Sequence, residues 1–348
     1  MPEHDSKLVT IQHEPYNAET PLGALAQART PIDLFYVRTH FDMPAVEASQ
    51  WRLTLDGAVR TSLQVGLGDL KKLPEKTRLV TLECAGNGRT AMTPLPPGTR
   101  WNFGAAATAE FTGTPLVELL DRAGVAPDGC EVLCVGADQG EVAAGRRVAY
   151  ERSLPLDVAR DSDTLVAWAM NGADLTREHG FPARLIVPRW YAMASVKWLV
   201  RLSVLSQPFT GFFQREQYVY EQEAGIADGT PVREMRVRSV IAYPGPNTTL
   251  GMKPVEIAGS AWSGFGAINR VEVSCDDGKL WTPADLQAPD SPFGATLWKV
   301  RWTPPRTGTF TLVARATDAA GNTQPVQSVS NRQGYGNNVT HRVRVRVK

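Results

Sequence analysis

The chain is short of cysteine, of net charge and of long apolar runs, and each shortage removes a class of function. Four cysteines occur among 348 residues: Cys84, Cys130, Cys134 and Cys275. Their spacings fit neither a zinc-ligand pattern nor a CxxCH haem attachment, so a cysteine-built zinc fold and covalent haem are set aside. Basic and acidic side chains number 37 and 36, a net charge of +1. Bulk electrostatics therefore favour neither nucleic acid nor an anionic membrane, and any anion-binding surface has to be local. No apolar run approaches the roughly 20 residues of a membrane-spanning helix. The opening MPEHDSKLVTIQHEPYN has no charged start followed by an apolar core, so it does not read as a signal peptide. The expected location is the cytoplasm, or the periplasm if an export signal has been removed. Dinucleotide GxGxxG and GxxxxGK[ST] patterns are missing too.

What is present is turn chemistry in quantity, with 30 glycines and 25 prolines spread along the chain. The length favours two domains. Up to residue 223 short strands mix with a few helices. Trp51–Gly57 alternates and predicts a strand, and Leu116–Gly124 has helical spacing with a terminal glycine. Asp163–Leu175 is an apolar run broken at Asn171-Gly172, and the runs RLIVP and VKWLVRLSVL predict buried strands. From about Thr230 the texture becomes short alternating segments punctuated by turns, the pattern of an immunoglobulin-like antiparallel β-sandwich. The expectation is an α+β chain, with a catalytic domain over 1–223, a linker at Ala224–Val232 and a sandwich over 232–348. Cys130 and Cys134 bound the run CEVLC and read as core thiols, Cys275 as inert, and Trp262, Trp281 and Trp302 as sandwich core.

One stretch carries chemistry: TLECAGNGR, Thr81 to Arg89. An apolar run ends on Cys84 and then turns through glycines that let backbone amides approach whatever the cysteine holds. Further motifs follow the same order as in one enzyme family: FYVRTH (Phe35 to His40), NGADLTREHGFPARLIVP (Asn171 to Pro188), ASVKWL (Ala194 to Leu199) and QREQY (Gln214 to Tyr218). AWSG, DDGKLWTPADL and ATDAAGNTQP extend the match into the second domain. Together they resemble the sulfite oxidase family of molybdenum-cofactor enzymes from about Leu34 onward.

The resemblance implies a molybdopterin-binding domain followed by a dimerisation domain, and a homodimer. It implies molybdenum held by a pterin dithiolene and by Cys84, soft sulfur donors that suit the metal. Phe35, Arg38, His40, His179, Arg184, Ser195, Val196 and Lys197 become cofactor contacts, several of them groups that bind phosphate. Arg38 and Arg89 become substrate arginines, which can concentrate and orient a small dianion. Tyr218 is the tyrosine beside the metal, Trp101 a wall of the substrate pocket, and Arg332 the match to a further arginine from the second domain. Taken singly, these residues read more plainly, Cys84 as a buried thiol and His40 and His179 as core histidines.

The implied activity is oxidation of sulfite to sulfate by oxo transfer, with electrons leaving to an external acceptor such as cytochrome c or oxygen, since no haem segment precedes Leu34. Alternatives are a related molybdoenzyme for another oxyanion or sulfur compound, of nitrate or sulfoxide type, and a non-catalytic protein on the same scaffold. Gly88, Arg189, Ala192 and Val219 depart from the family pattern.

Overall fold

The computed structural model describes residues 7–142 and 145–348, so the first six residues of the N-terminal segment read above lie outside it. The first domain is built on a pair of five-stranded sheets. One runs in the order Ala173–Asp174, Leu165–Met170, Ala106–Pro115, Lys76–Glu83, with Arg184–Ile186 also paired to Leu165–Met170. The other runs Leu63–Gly66, Arg52–Gly57, Leu199–Leu205, Glu131–Val142, Arg146–Pro155, and only Arg52–Gly57 with Leu199–Leu205 is parallel within it. Alternating burial along Glu131–Val142 is the period-two signature of a strand with one covered face. Leu79 to Glu83 are buried without a break, so the strand leading to the cysteine is covered on both faces.

The helix Leu116–Ala123 buries Leu116, Leu119, Leu120 and Ala123, one stripe at helical spacing. The run broken at Asn171-Gly172 is a hairpin, in which both of those residues have positive φ. Cys134 lies in the core and Cys130 just before its strand, half-buried.

The second domain is a sandwich. A sheet ordered Arg238–Tyr243, Val255–Trp262, Thr296–Trp302, Asp285–Gln287 faces one ordered Thr249–Leu250, His341–Val347, Gly308–Asp318, Ile268–Ser274, Thr282–Pro283. Along His341–Val347 the valines face in and Arg342, Arg344 and Arg346 face out. Ile257, Val271, Leu312 and Val343 belong to the apolar core between the two sheets.

Two details differ from the sequence reading. The expected linker is partly structured, because Thr230–Pro231 pairs with Val219–Tyr220 and folds back on the first domain. Trp262 is not plain sandwich core: its indole Nε1 donates to Glu83 Oε2 of the first domain at 2.8 Å. The largest apolar core itself crosses the boundary, joining Trp190 and Tyr191 to Val240, Trp262 and Tyr335. Among the described residues, no helix is long and apolar enough to cross a membrane.

Candidate active site

A cavity opens where the strand Lys76–Glu83 ends, and its wall includes Cys84, Arg38, His40, Arg184, Lys197 and Tyr218. Each side chain arrives from a different local device. Cys84 is tied in place by its own amide, which donates to Ala105 O at 2.9 Å, and by the turn in which Asn87 N–H returns to Cys84 O. Gly88 takes φ +81° to complete that turn, a conformation few side chains tolerate. Arg38 and His40 follow the short 3-10 helix Ile32–Leu34. His179 and Arg184 converge because Gly180, at φ +101°, leaves no Cβ between them and Lys197. A Cβ there would stand 3.0–3.2 Å from Lys197 and Arg184 atoms.

The cationic wall is held mostly by carbonyls. Arg184 donates to His179 O and Ser195 O, both at 3.1 Å, and Lys197 donates to Glu178 O at 2.7 Å. Arg38 donates to Asn17 Oδ1 at 3.2 Å and to the Thr39 carbonyl. Burial pushes Arg184 down to about 10, still charged at neutral pH. His179 is pushed down to about 3 by burial and by Lys197, and its Nε2 meets Ile32 O at 3.2 Å. Burial likewise holds His40 well below its ordinary value, with Arg38 adding to the effect. Neutral His40 lies on the Tyr150 ring, centroids 4.5 Å apart, and its Nε2 meets the Tyr218 hydroxyl at 2.6 Å. Burial pushes the Cys84 thiol up, while Arg38, the Gly86 amide and Arg89 draw it down.

Phe35 and Ser195 also line the cavity. The Ser195 hydroxyl accepts from Val187 N–H at 3.0 Å, which locks the turn after the short helix Ala192–Ala194. Other predicted residues are placed differently. Val196 is fully buried in the main core, where Leu185 N–H uses its carbonyl, so its side chain supports the wall rather than forming it. Trp101 is fully enclosed in the apolar cluster that also holds Phe35, Tyr36 and Cys84. Arg89 is buried beside the cysteine turn, donating to Gln333 O and Thr99 O and lying 5.0 Å over the Tyr335 ring. Arg332 is not brought to the cavity: it is more than half exposed and pairs with Glu221 at 3.4 Å. The chain turns it outward, and it is the Gln333 carbonyl and the Tyr335 ring that face Arg89.

Sequence reading missed several residues here. Asp138 lines the cavity from a β-bulge in Glu131–Val142, and its buried Oδ1 has no partner. Burial raises its carboxyl and lowers the neighbouring Lys197. Asp138 falls in step with Val132, Cys134 and Gly136 on the covered face of that strand. Tyr335 comes from the second domain, is buried and packs 5.0 Å from the Tyr218 ring. Tyr150 donates to Met193 O at 2.8 Å beneath His40.

These residues fit a molybdenum pterin. A thiol at the cavity wall offers a soft donor. Arg184 and Lys197 offer charge for a phosphate tail, and the orphaned Asp138 oxygen offers an acceptor for ring N–H groups. A two-sheet mixed domain with such a pocket, followed by a sandwich, defines a molybdopterin-dependent oxidoreductase. Comparison with known proteins agrees. Residues 40–213 match the oxidoreductase molybdopterin binding domain, and residues 230–348 match the Mo-co oxidoreductase dimerisation domain. The chain belongs to the sulfite oxidase family of molybdenum-cofactor enzymes. It is 34% identical to sulfite oxidase of Gallus gallus, over 98% of this chain and 78% of that one. It is 35% identical to the mitochondrial sulfite oxidase of Rattus norvegicus, over 96% of this chain but 64% of that longer one. The fold superposes on the sulfane dehydrogenase SoxCD of Paracoccus pantotrophus with a TM-score of 0.82 and 31% identity, covering 94% of this chain and 83% of that one.

Proposed function

We propose that the protein oxidises sulfite to sulfate with Cys84 as the protein ligand of the metal, as a homodimer joined through its second domain. The observation that carries this reading is the meeting of one buried thiol, Cys84, with Arg38, His40 and Tyr218 on the wall of a single cavity. When bound, the molybdenum pterin supplies two-electron oxygen-atom transfer. The chain's own residues supply position and field. Arg38 brings a permanent charge to the wall that also carries Cys84, which favours a small dianion there and fixes its orientation. Burial keeps Tyr218 protonated, so its hydroxyl remains a donor. Where His40 Nε2 carries the ring proton, the imidazole donates to the phenol oxygen and leaves the Tyr218 O–H for a substrate oxygen. Arg184 and Lys197 hold the phosphate end of the cofactor, and the apolar wall of Phe35, Leu82 and Met193 limits water.

Electrons leave to an external acceptor, cytochrome c or oxygen. The test is sulfite-dependent ferricyanide reduction by protein made with the cofactor supplied and its molybdenum measured. Turnover supports the reading, and a fully loaded protein silent to sulfite refutes it. One observation favours a second reading, a sulfur compound larger than sulfite. The second domain sets the Tyr335 ring 5.0 Å from Tyr218, while Arg332, the arginine expected there, faces solvent. The likeness to the sulfane dehydrogenase points the same way, and thiosulfate or another compound with sulfane sulfur is then the substrate to try.

A further inference from the structure

The cysteine turn is held from outside its own domain. Glu83, the residue before Cys84, is completely buried, and so is Arg238 of the second domain. Arg238 Nε stands 2.5 Å from Glu83 Oε1, as an ion pair rather than an aligned hydrogen bond. Asn87 Nδ2 donates to the same Oε1 at 2.9 Å, and Trp262 Nε1 donates to Oε2 at 2.8 Å. The backbone of the turn is gripped in the same way. Gly336 N–H donates to Ala85 O at 2.8 Å, Arg238 Nη2 to Asn87 O at 3.1 Å, and Asn337 Nδ2 to Gly88 O at 2.7 Å. The open edge of the strand Lys76–Glu83 is covered as well, because Thr81 N–H donates to Phe293 O at 2.8 Å.

We infer that Arg238 and Asn337 are positioning residues for Cys84, acting through Glu83 and the carbonyls of the turn, so that the second domain sets the place of the thiol as well as joining subunits. This rests on Cys84 being the metal ligand. The physical ground is that five hydrogen bonds and one buried ion pair converge on Glu83 and the few residues of the turn, and outer-shell groups fix the orientation of the ligand they support. A purely adhesive interface would not need to place its buried charge against the residue preceding the thiol.

The experiment uses the full-length protein with its cofactor, and reads the thiolate-to-molybdenum absorption band, molybdenum content, kcat and KM. Cys84→Ser serves as the control that removes the band. Asn337→Leu removes the donor to Gly88 O, together with the Oδ1 that accepts Val339 N–H at 3.2 Å, without stranding a charge, and the pair Glu83→Gln with Arg238→Gln replaces the ion pair by neutral amides. Arg238→Gln alone strands Glu83, so the other variants carry the test if it fails to fold. Both informative variants are expected to keep molybdenum, to shift the band, and to lower kcat about tenfold or more with a smaller change in KM. Loaded, folded variants with the wild-type band and kcat overturn the inference. A wild-type protein whose band survives Cys84→Ser overturns the ligation reading itself, and this inference with it.

Discussion

Cys84 is a small buried side chain whose value lies in one sulfur atom. Replacing it with serine changes neither volume nor turn geometry greatly, but a hydroxyl is a poor soft ligand. Cys84→Ser is expected to melt within a few degrees of wild type and to lose sulfite turnover, measured as ferricyanide reduction at matched molybdenum content; retained turnover refutes ligation. Arg38 differs in kind. Its guanidinium is held by Asn17 Oδ1 and the Thr39 carbonyl, so Arg38→Gln removes charge from the wall without removing the wall. The expected effect is a rise of about tenfold or more in KM for sulfite, with a smaller effect on kcat. An unchanged KM would show that the anion is met elsewhere, with Arg89 the next to test.

Elements decide where these side chains stand, and here the sequence was uneven as a guide. The alternating strands of the sandwich, the break at Asn171-Gly172 and the helix Leu116–Ala123 were legible because local pattern and turn residues fix them. The cavity's Cys84, Arg38, His40, Arg184 and Lys197 were legible because contiguous motifs carry them. Asp138 was not, because a single acid in the inward phase of a strand reads as a surface residue until the covered face of that strand is known. Tyr335 and the Arg238 contacts were not, because they depend on how one domain seats against another.

The turn at Gly180 gives a direct test of element geometry. Gly180→Ala adds a Cβ at φ +101° within 3.2 Å of Lys197 and Arg184. It is expected to cost about 1–3 kcal/mol in thermal or denaturant unfolding and to lower cofactor content. The strand His341–Val347 gives another. Burial holds His341 down to about 3, and its Nδ1 accepts Ile241 N–H at 3.0 Å. Its folded pKa lies below the unfolded value near 6.5, so the unfolded chain binds the extra proton. Stability is then lost as pH falls from about 6.5 towards 3, by up to about 1.4 kcal/mol per pH unit from this group. His341→Asn, which keeps a neutral acceptor, should flatten the fall in melting temperature between pH 6.5 and 4.5. An identical slope would remove His341 from the account.

The whole molecule behaves as one body wherever its core is continuous. Because the largest apolar cluster spans both domains and a buried ion pair bridges them, calorimetry is expected to give one cooperative unfolding transition. A pair of resolved transitions would show that each half is stable alone. Removing one member of the bridge leaves the other charge buried, a loss of about 3–5 kcal/mol that would be felt by both halves at once.

The same bridge limits how the two halves can be recombined. A chimera that joins the catalytic half of this chain to the sandwich of a relative would meet Glu83 with whatever stands at the position of Arg238, and would leave the cysteine turn with mismatched donors. Glu83, Asn87, Arg238, Trp262 and Asn337 therefore have to be inherited as a set, although they lie as much as 254 positions apart along the chain. The boundary at which the sequence divides into modules is not a boundary at which the enzyme can be cut and spliced.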